Sequence, residues 1–389
     1  MAFLRLGSRA TFTPTLLACY AISFVVHVGS VTLTTLLPFH VLDLGGSKTQ
    51  VGLLFSVSAI VAMGLRPTVG SFVDQLGARR VIGPGVAILL LTSLALHVAG
   101  TPEALLVLMI GIGLSNGLIS TPASVVAATV STAASRGEAL GTYYLASSLA
   151  IAVSPPLAFG LKALGGMRLE FLAVTAVALV LAVLTRWMPR RPPSTYAGIG
   201  APLVRLVSVP ALPVSGALVL ATLGHSSVYA FLPLYAVSRG RGAALAWFFS
   251  VYPLWLIACR ALFRGISDRA GHARVALVAM ALQAVAFVAL AMPPTPLSLV
   301  IGAVTLGTGG AVLYPTLVAL LVERAKPDAR GLALGTLSGA WDLGVVIGSA
   351  LIGLVADRFS YGAGFAVGAL GSALGVIALA FVERRRAIT

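Results

Sequence analysis

The sequence predicts an all-α membrane protein of twelve transmembrane helices, arranged as two parallel six-helix repeats. Three observations predict it. Of 389 residues, 58% are hydrophobic and only 10% charged, with a mean hydropathy of +1.02, whereas a water-soluble chain carries about 25% charged residues. The basic residues alternate in density between successive connections. The two halves of the chain can be laid over each other at an offset of 194 residues.

A bilayer core about 30 Å thick needs about 20 apolar residues per helix. Such runs occur at 14–38, 50–72, 81–99, 103–130, 138–160, 169–188, 209–236, 243–263, 275–292, 297–322, 331–355 and 361–382. The first run is too long for a signal-peptide core and leads into another span, so it reads as an uncleaved first helix. Forty-two glycines and 21 prolines are too many for a plain bundle in water but are tolerated in membrane helices. Cys19 and Cys259 both lie in apolar runs, and neither a disulfide framework nor a metal site follows from them.

The net charge of +15 is read as orientation, not as nucleic-acid binding, because no basic patch with interleaved aromatics exists. With the N-terminus inside, the inner connections hold 18 Lys and Arg and the outer ones 6, while Arg66 and Arg260 fall inside spans. The positive-inside rule then places both termini in the cytoplasm, and the expected location is a bacterial cytoplasmic membrane. The longest polar connection, 186–208, divides the chain into an N-terminal six-helix bundle (1–185) and a C-terminal one (209–389).

At the 194 offset Arg66 meets Arg260, Asp74 meets Asp268, Gly77 meets Gly271, Arg80 meets Arg274, and Ala139 to Thr142 meet Ala333 to Thr336. Pro122 pairs with Pro315 one residue out of step, and Pro38 with Pro233 at 195. An even number of spans per half makes the repeats parallel, an arrangement found in one large class of secondary transporters. The loop after the second span reads Gly70-Ser-Phe-Val-Asp74-Gln-Leu-Gly77-Ala-Arg79-Arg80. It resembles the loop signature of the major facilitator superfamily (MFS), with Phe72 where leucine is usual and Gln75 where a basic residue is usual. The second-half loop, from Gly265 through Asp268, Gly271 and Arg274, is a degraded copy. The resemblance covers essentially the whole chain.

That resemblance implies the MFS fold and alternating access, with substrate bound between the halves. Gly70, Asp74, Gly77, Arg79 and Arg80 then form a cytoplasmic gate motif, with Asp268, Gly271 and Arg274 as its counterpart. Asp74 is expected to face the N-terminal end of the eleventh span, near Gly331 to Gly335, where the helix dipole favours a carboxylate; Asp268 would meet the start of the fifth span near Gly137. Drug exporters of the superfamily resemble one another in the fifth span, by glycines spaced nine and four apart followed by proline. Here Gly141, Ala150, Ser154 and Pro155 keep the small sizes and the proline, while the eleventh span keeps the glycines as Gly335, Gly344 and Gly348. Small residues of this kind also serve plain helix packing. A family arginine in the fourth span is absent: Asn116-Gly117 fit its motif, but Gly113 occupies the arginine position, so coupling must use other groups.

Ionisable residues inside a membrane are costly and point to function. Asp342 is the only acid deep within a span, and Arg66 is its expected partner if the second and eleventh spans pack together. His27 and His225 sit mid-span in the first helix of each half, on a face shared with Ser23, Ser30 and Thr34 or with Tyr229. A polar stripe at helical spacing faces protein or a cavity, not lipid. Tyr143, Tyr144, Ser148, Tyr252, Trp255 and Gln283 complete the candidate cavity, and Arg260 is its remaining intramembrane charge.

No zinc-protease, nucleophile-elbow or phosphate-loop motif is present, and no cofactor is expected. The reading is a secondary transporter, expected to be proton-coupled and to export a small amphipathic or drug-like compound, working as a monomer. An uptake symporter or facilitator on the same fold is the alternative, and a multi-pass membrane enzyme or receptor is the alternative of another class.

Overall fold

Hydropathy makes these segments helical, but glycine and proline decide where they bend. The computed structural model describes residues 13–131, 136–190, 207–263, 265–325 and 330–388, and among them there is helix and no strand. In chain order the helices are α1 (Pro14–Asp43), α2 (Lys48–Leu76), α3 (Ala78–Leu96), α4 (Pro102–Val130), α5 (Arg136–Leu184), α6 (Leu212–Thr222), α7 (His225–Ala230), α8 (Leu232–Ser238), α9 (Leu245–Leu262), α10 (Ile266–Ala270), α11 (His272–Ala291), α12 (Pro296–Arg324), α13 (Arg330–Arg358) and α14 (Tyr361–Ile388). Eleven segments among the described residues are long and apolar enough to cross a membrane.

Three expected spans differ in form. The fifth and sixth are continuous in α5, which at 49 residues would be about 74 Å long at 1.5 Å per residue. That is more than twice a bilayer core. The backbone leaves helical geometry at Gly165 and Gly166, the latter at φ 62°, so α5 is bent into two legs. The seventh span is broken into α6, α7 and α8. Gly224 stands at the first break, where a β-carbon would overlap the ring of Phe287. The second break precedes Pro233, which has no N–H to give to the preceding turn.

Helix starts obey the repeat. Thr101 accepts from the Ala104 N–H at 3.2 Å and is followed by Pro102. Thr295, 194 residues on, accepts from the Ser298 N–H at 3.2 Å in a capping box and is followed by Pro296. Serine or threonine before a first-turn proline is a strong helix start. Gly77 and Gly271 also correspond: at φ 83° and 88° they make the sharp turns before α3 and α11, a conformation that costs glycine little.

The chain divides into two compact units, Met1–Leu36 with Val61–Ala201 and Leu37–Ile60 with Pro202–Thr389. The segment 37–60 therefore groups with the C-terminal helices, so these units are not identical to the repeat halves. In unit 2, small and aliphatic residues of α6, α11, α12, α13 and α14 build the core, among them Ala217, Ala221, Ala279, Leu313, Leu337 and Leu379. An Arg324–Glu383 ion pair of 2.6 Å ties α12 to α14. In unit 1, α3 and α4 approach where a β-carbon on Gly85 would lie 2.7 Å from Leu118. Close approach of small residues is how helices associate where lipid removes the hydrophobic drive. Large apolar side chains such as Leu91, Val98, Leu254, Leu370 and Ile377 remain exposed, as helix faces turned to lipid require.

Candidate functional site

The gate motif is partly legible in unit 1. Helix α2 runs on through the first half of the signature to Leu76, and Gly77 donates its N–H to the Val73 carbonyl at 2.9 Å. Arg79 then binds the chain that follows α5: its N–H donates to Pro189 O at 3.1 Å and its guanidinium to Arg186 O at 3.3 Å. Arg80 is exposed. The side chains of Arg66, Gly70, Asp74, Gly137 and Gly331 lie outside those described, so the expected Asp74 latch and the Asp342–Arg66 pair fall there too, as does linker 191–206. In unit 2, Asp268 is exposed and lies 3.9 Å from His272 Nε2, which is also 3.9 Å from Glu323. Gly271 and Arg274 are exposed as well.

The polar stripe of α1 is satisfied by neighbours within unit 1. Ser23 donates to the Tyr143 carbonyl at 3.0 Å, and His27 Nδ1 lies 2.7 Å from the Ser23 carbonyl. A carbonyl only accepts, so Nδ1 carries the hydrogen and Nε2 is left to face other groups. Ser30 donates to Asn116 Oδ1 at 2.9 Å, Ser120 to the Asn116 carbonyl at 2.6 Å, and Tyr143 OH to the Ser120 carbonyl at 2.9 Å. Thr34 donates to Val31 O. These bonds join α1, α4 and α5 into one polar seam. Tyr144 is exposed, while Ser148 is buried and donates to the Tyr144 carbonyl at 2.8 Å.

Unit 2 gathers an aromatic cluster. The His225 ring meets Trp341 edge-on at 4.8 Å and Phe287 at 6.3 Å, and Tyr314 meets Trp341 at 5.7 Å. Tyr314 and Ser338 share a 2.8 Å hydrogen bond. Asp342, next in the chain to Trp341, is buried at 9% exposure. A second group joins Tyr229 to Phe249 at 6.1 Å and stacks Tyr252 on Phe248 at 5.4 Å. Arg260 is exposed, two turns along α9 from Tyr252. Trp255 donates to Thr308 at 2.9 Å. Among the described residues, His225 Nδ1 and both amide atoms of Gln283 are buried without a hydrogen-bond partner. Groups so placed are expensive unless something satisfies them.

The glycines of α13 differ among themselves. A β-carbon on Gly344 would overlap Thr222, and one on Gly348 the Leu223 carbonyl, whereas Gly335 has open space, as does Gly141 in α5. Pro155 is buried within α5. Sequence reasoning missed Trp341, Phe287, Tyr314 and Ser338, which belong to helices other than the first of each half. It also missed Glu170, which is fully buried on the second leg of α5.

Fold and composition together define a multi-pass helical membrane protein of the transporter class. The sequence profile of the Major Facilitator Superfamily matches residues 19–272 and 214–388, and the chain belongs to that superfamily. It is 28% identical, over 403 aligned residues, to an uncharacterised MFS-type transporter of Burkholderia pseudomallei strain 1106a, covering 97% of this chain and 95% of the relative. The uncharacterised MFS-type transporter YhhS of Escherichia coli strain K12 is 26% identical, with 82% of this chain and 80% of the relative covered. Among solved structures, the nucleoside transporter NupG aligns with a TM-score of 0.73 at 15% identity, over 94% of this chain and 98% of the other. A peptide transporter POT in complex with sulfate aligns with a TM-score of 0.78 at 16% identity, over 95% and 94%. These two likenesses define the fold.

Proposed function

We propose that the protein is a proton-coupled exporter of a small amphipathic or weakly cationic organic compound. In this reading the bundles 1–185 and 209–389 are the two moving halves, joined by 186–208, and both termini face the cytoplasm. The observation that carries it is the aromatic cluster of His225, Trp341, Phe287 and Tyr314, with the buried acid Asp342 next in the chain to Trp341. Aromatic faces and a carboxylate attract organic cations, and a sugar site would need more paired polar groups than this cluster has. His225 and Gln283 offer a substrate the polar contacts that the protein leaves unmade. His27, Asn116, Tyr144, Ser148, Tyr229, Tyr252 and Arg260 are assigned to the same transport path. Asp74 and Asp268 are assigned to cytoplasmic latches that break as the halves exchange conformations, and unchanged transport in Asp74→Ala removes the first of these.

The test uses purified protein in proteoliposomes, tetraphenylphosphonium as the lipophilic cation and an imposed pH gradient. Export coupled to protons appears as tetraphenylphosphonium movement opposite to the proton flux, sensitive to collapse of the gradient. Movement with the protons gives the uptake symporter instead. Absence of any gradient-dependent movement overturns the proposal.

A further inference from the structure

We propose that Glu170 is a proton-binding site within unit 1, one turn of α5 from a water-sized cavity. The inference rests on the proton-coupled reading only for its role in transport, not for the existence of the site. Glu170 lies on the second leg of α5, four residues past the Gly165–Gly166 bend, and its exposure is 0%. Both carboxyl oxygens are buried with no hydrogen-bond partner among the described residues. An isolated carboxylate in such surroundings is prohibitively costly, and the group neutralises by taking a proton.

The neighbours agree with a neutral acid. Thr32 of α1 is the polar residue beside it, but the Thr32 hydroxyl gives its hydrogen to the Val28 carbonyl at 2.9 Å, with Gly29 O at 3.2 Å. The one hydroxyl is thus shared between the α1 backbone and Glu170. No titratable group on the neighbouring helices makes an ion pair with Glu170 among the described residues. His27 and His40 are on α1, His97 on α3 and Glu103 on α4, with Lys162 and Arg168 on α5 itself. His97 packs its ring on Phe171 at 5.6 Å, and its Nδ1 lies 2.9 Å from the Ser93 carbonyl.

A small cavity lies one turn further along α5. Residues 170, 174 and 177 share one helix face by their spacing, and Val174 and Val177 line a cavity with room for about one water. Its other walls come from α1, α3 and α4 and include Ser30 and Asn116, the hydrogen-bonded pair one turn along α1 from His27. A water there would have polar partners in Ser30 and Asn116. This places a protonatable group in the half of the protein whose fourth span has Gly113 in the arginine position.

Of the five glutamates in the chain, Glu170 alone is fully buried; Glu103, Glu138 and Glu323 are exposed and Glu383 pairs with Arg324. Infrared spectra of wild type grown with carboxyl-labelled glutamate therefore isolate it. One glutamic-acid C=O band, shifted by the label, is expected at neutral pH and is lost reversibly at alkaline pH. The band is expected to vanish in Glu170→Gln. Absence of a labelled acid band in wild type, or its persistence in folded Glu170→Gln, overturns the proposal; the wild-type arm stands even if the variant does not fold. A band present without proton-driven tetraphenylphosphonium transport fails the export reading and leaves the site standing. Transport present without the band does the reverse.

Discussion

Asp357 caps the start of a helix 308 residues away at Thr49. Its carboxylate accepts from the Thr49 hydroxyl at 2.8 Å, from the Thr49 N–H at 3.4 Å and from the Lys48 N–H at 3.3 Å. The free N–H groups and the dipole at the head of α2 thus find their acceptor on the end of α13. Lys48 completes the clasp, donating to the Ala356 carbonyl at 2.9 Å and lying 4.6 Å from the centre of the Tyr361 ring. Two turns along, Ser56 donates to the Val346 carbonyl and shares a 2.8 Å bond with Ser349.

Asp357→Ala is expected to lower the thermal unfolding midpoint of the detergent-purified protein, by the roughly 1 kcal/mol that loss of a helix cap costs. Asp357→Asn keeps an acceptor oxygen and is expected to lose less than half of that. Equal losses in the two variants would show that charge, and not capping, holds α2 to α13.

The glycines of α13 give a paired prediction. At Gly348 a methyl group overlaps the Leu223 carbonyl, which belongs to backbone and cannot swing away, whereas at Gly335 it meets nothing within 4 Å. Gly348→Ala is expected to destabilise by about 1–3 kcal/mol, the usual penalty of overpacking. Gly335→Ala is expected to be neutral or to stabilise by about 0.5–1 kcal/mol, since alanine is the better helix former. Thermal melts of both variants decide it, and a stable Gly348→Ala would contradict the packing of α6 on α13.

How much of this the sequence revealed depends on the range of the interaction. Hydropathy sums over a whole helix, so the apolar segments and the superfamily were legible, and so were Gly77 and Gly271, whose turns are local. The bend in α5 and the break after α6 were less so. Gly224 reads as one more small residue until the Phe287 ring, 63 positions on, occupies the space of its missing β-carbon. Glu170 was hidden by its place beside Arg168 at the edge of an apolar run, where a carboxylate reads as a boundary marker. Only tertiary packing shows that it is enclosed. Asp357 and Thr49 sit at span ends for the same reason, each an ordinary polar terminus until paired.

Gln283 separates stability from recognition. Its amide is fully buried on α11 with neither atom bonded among the described residues, so Gln283→Leu removes an unmet desolvation cost of about 1–3 kcal/mol. The variant is expected to melt at higher temperature than wild type while losing the thermal shift that a protonated aromatic amine, which can hydrogen-bond to the amide, produces. A gain in stability with that shift intact would make Gln283 a packing residue alone.

Asp342 tests the cation reading most directly. It is buried and follows Trp341 of α13, and the Trp341 ring meets His225, so its charge lies one residue from the aromatic cluster. Asp342→Asn preserves the shape and removes the charge. Tetraphenylphosphonium has no hydrogen to donate, so Asp342 acts on it by charge alone, worth about 2 kcal/mol at about 8 Å in an effective dielectric of about 20, which corresponds to a loss of affinity of roughly 30-fold. Binding of an uncharged aromatic compound of similar size is expected to change less than threefold, measured by the same titration of intrinsic tryptophan fluorescence. If both ligands weaken together, Asp342 supports the cluster structurally. If neither does, the cation site lies elsewhere in the chain.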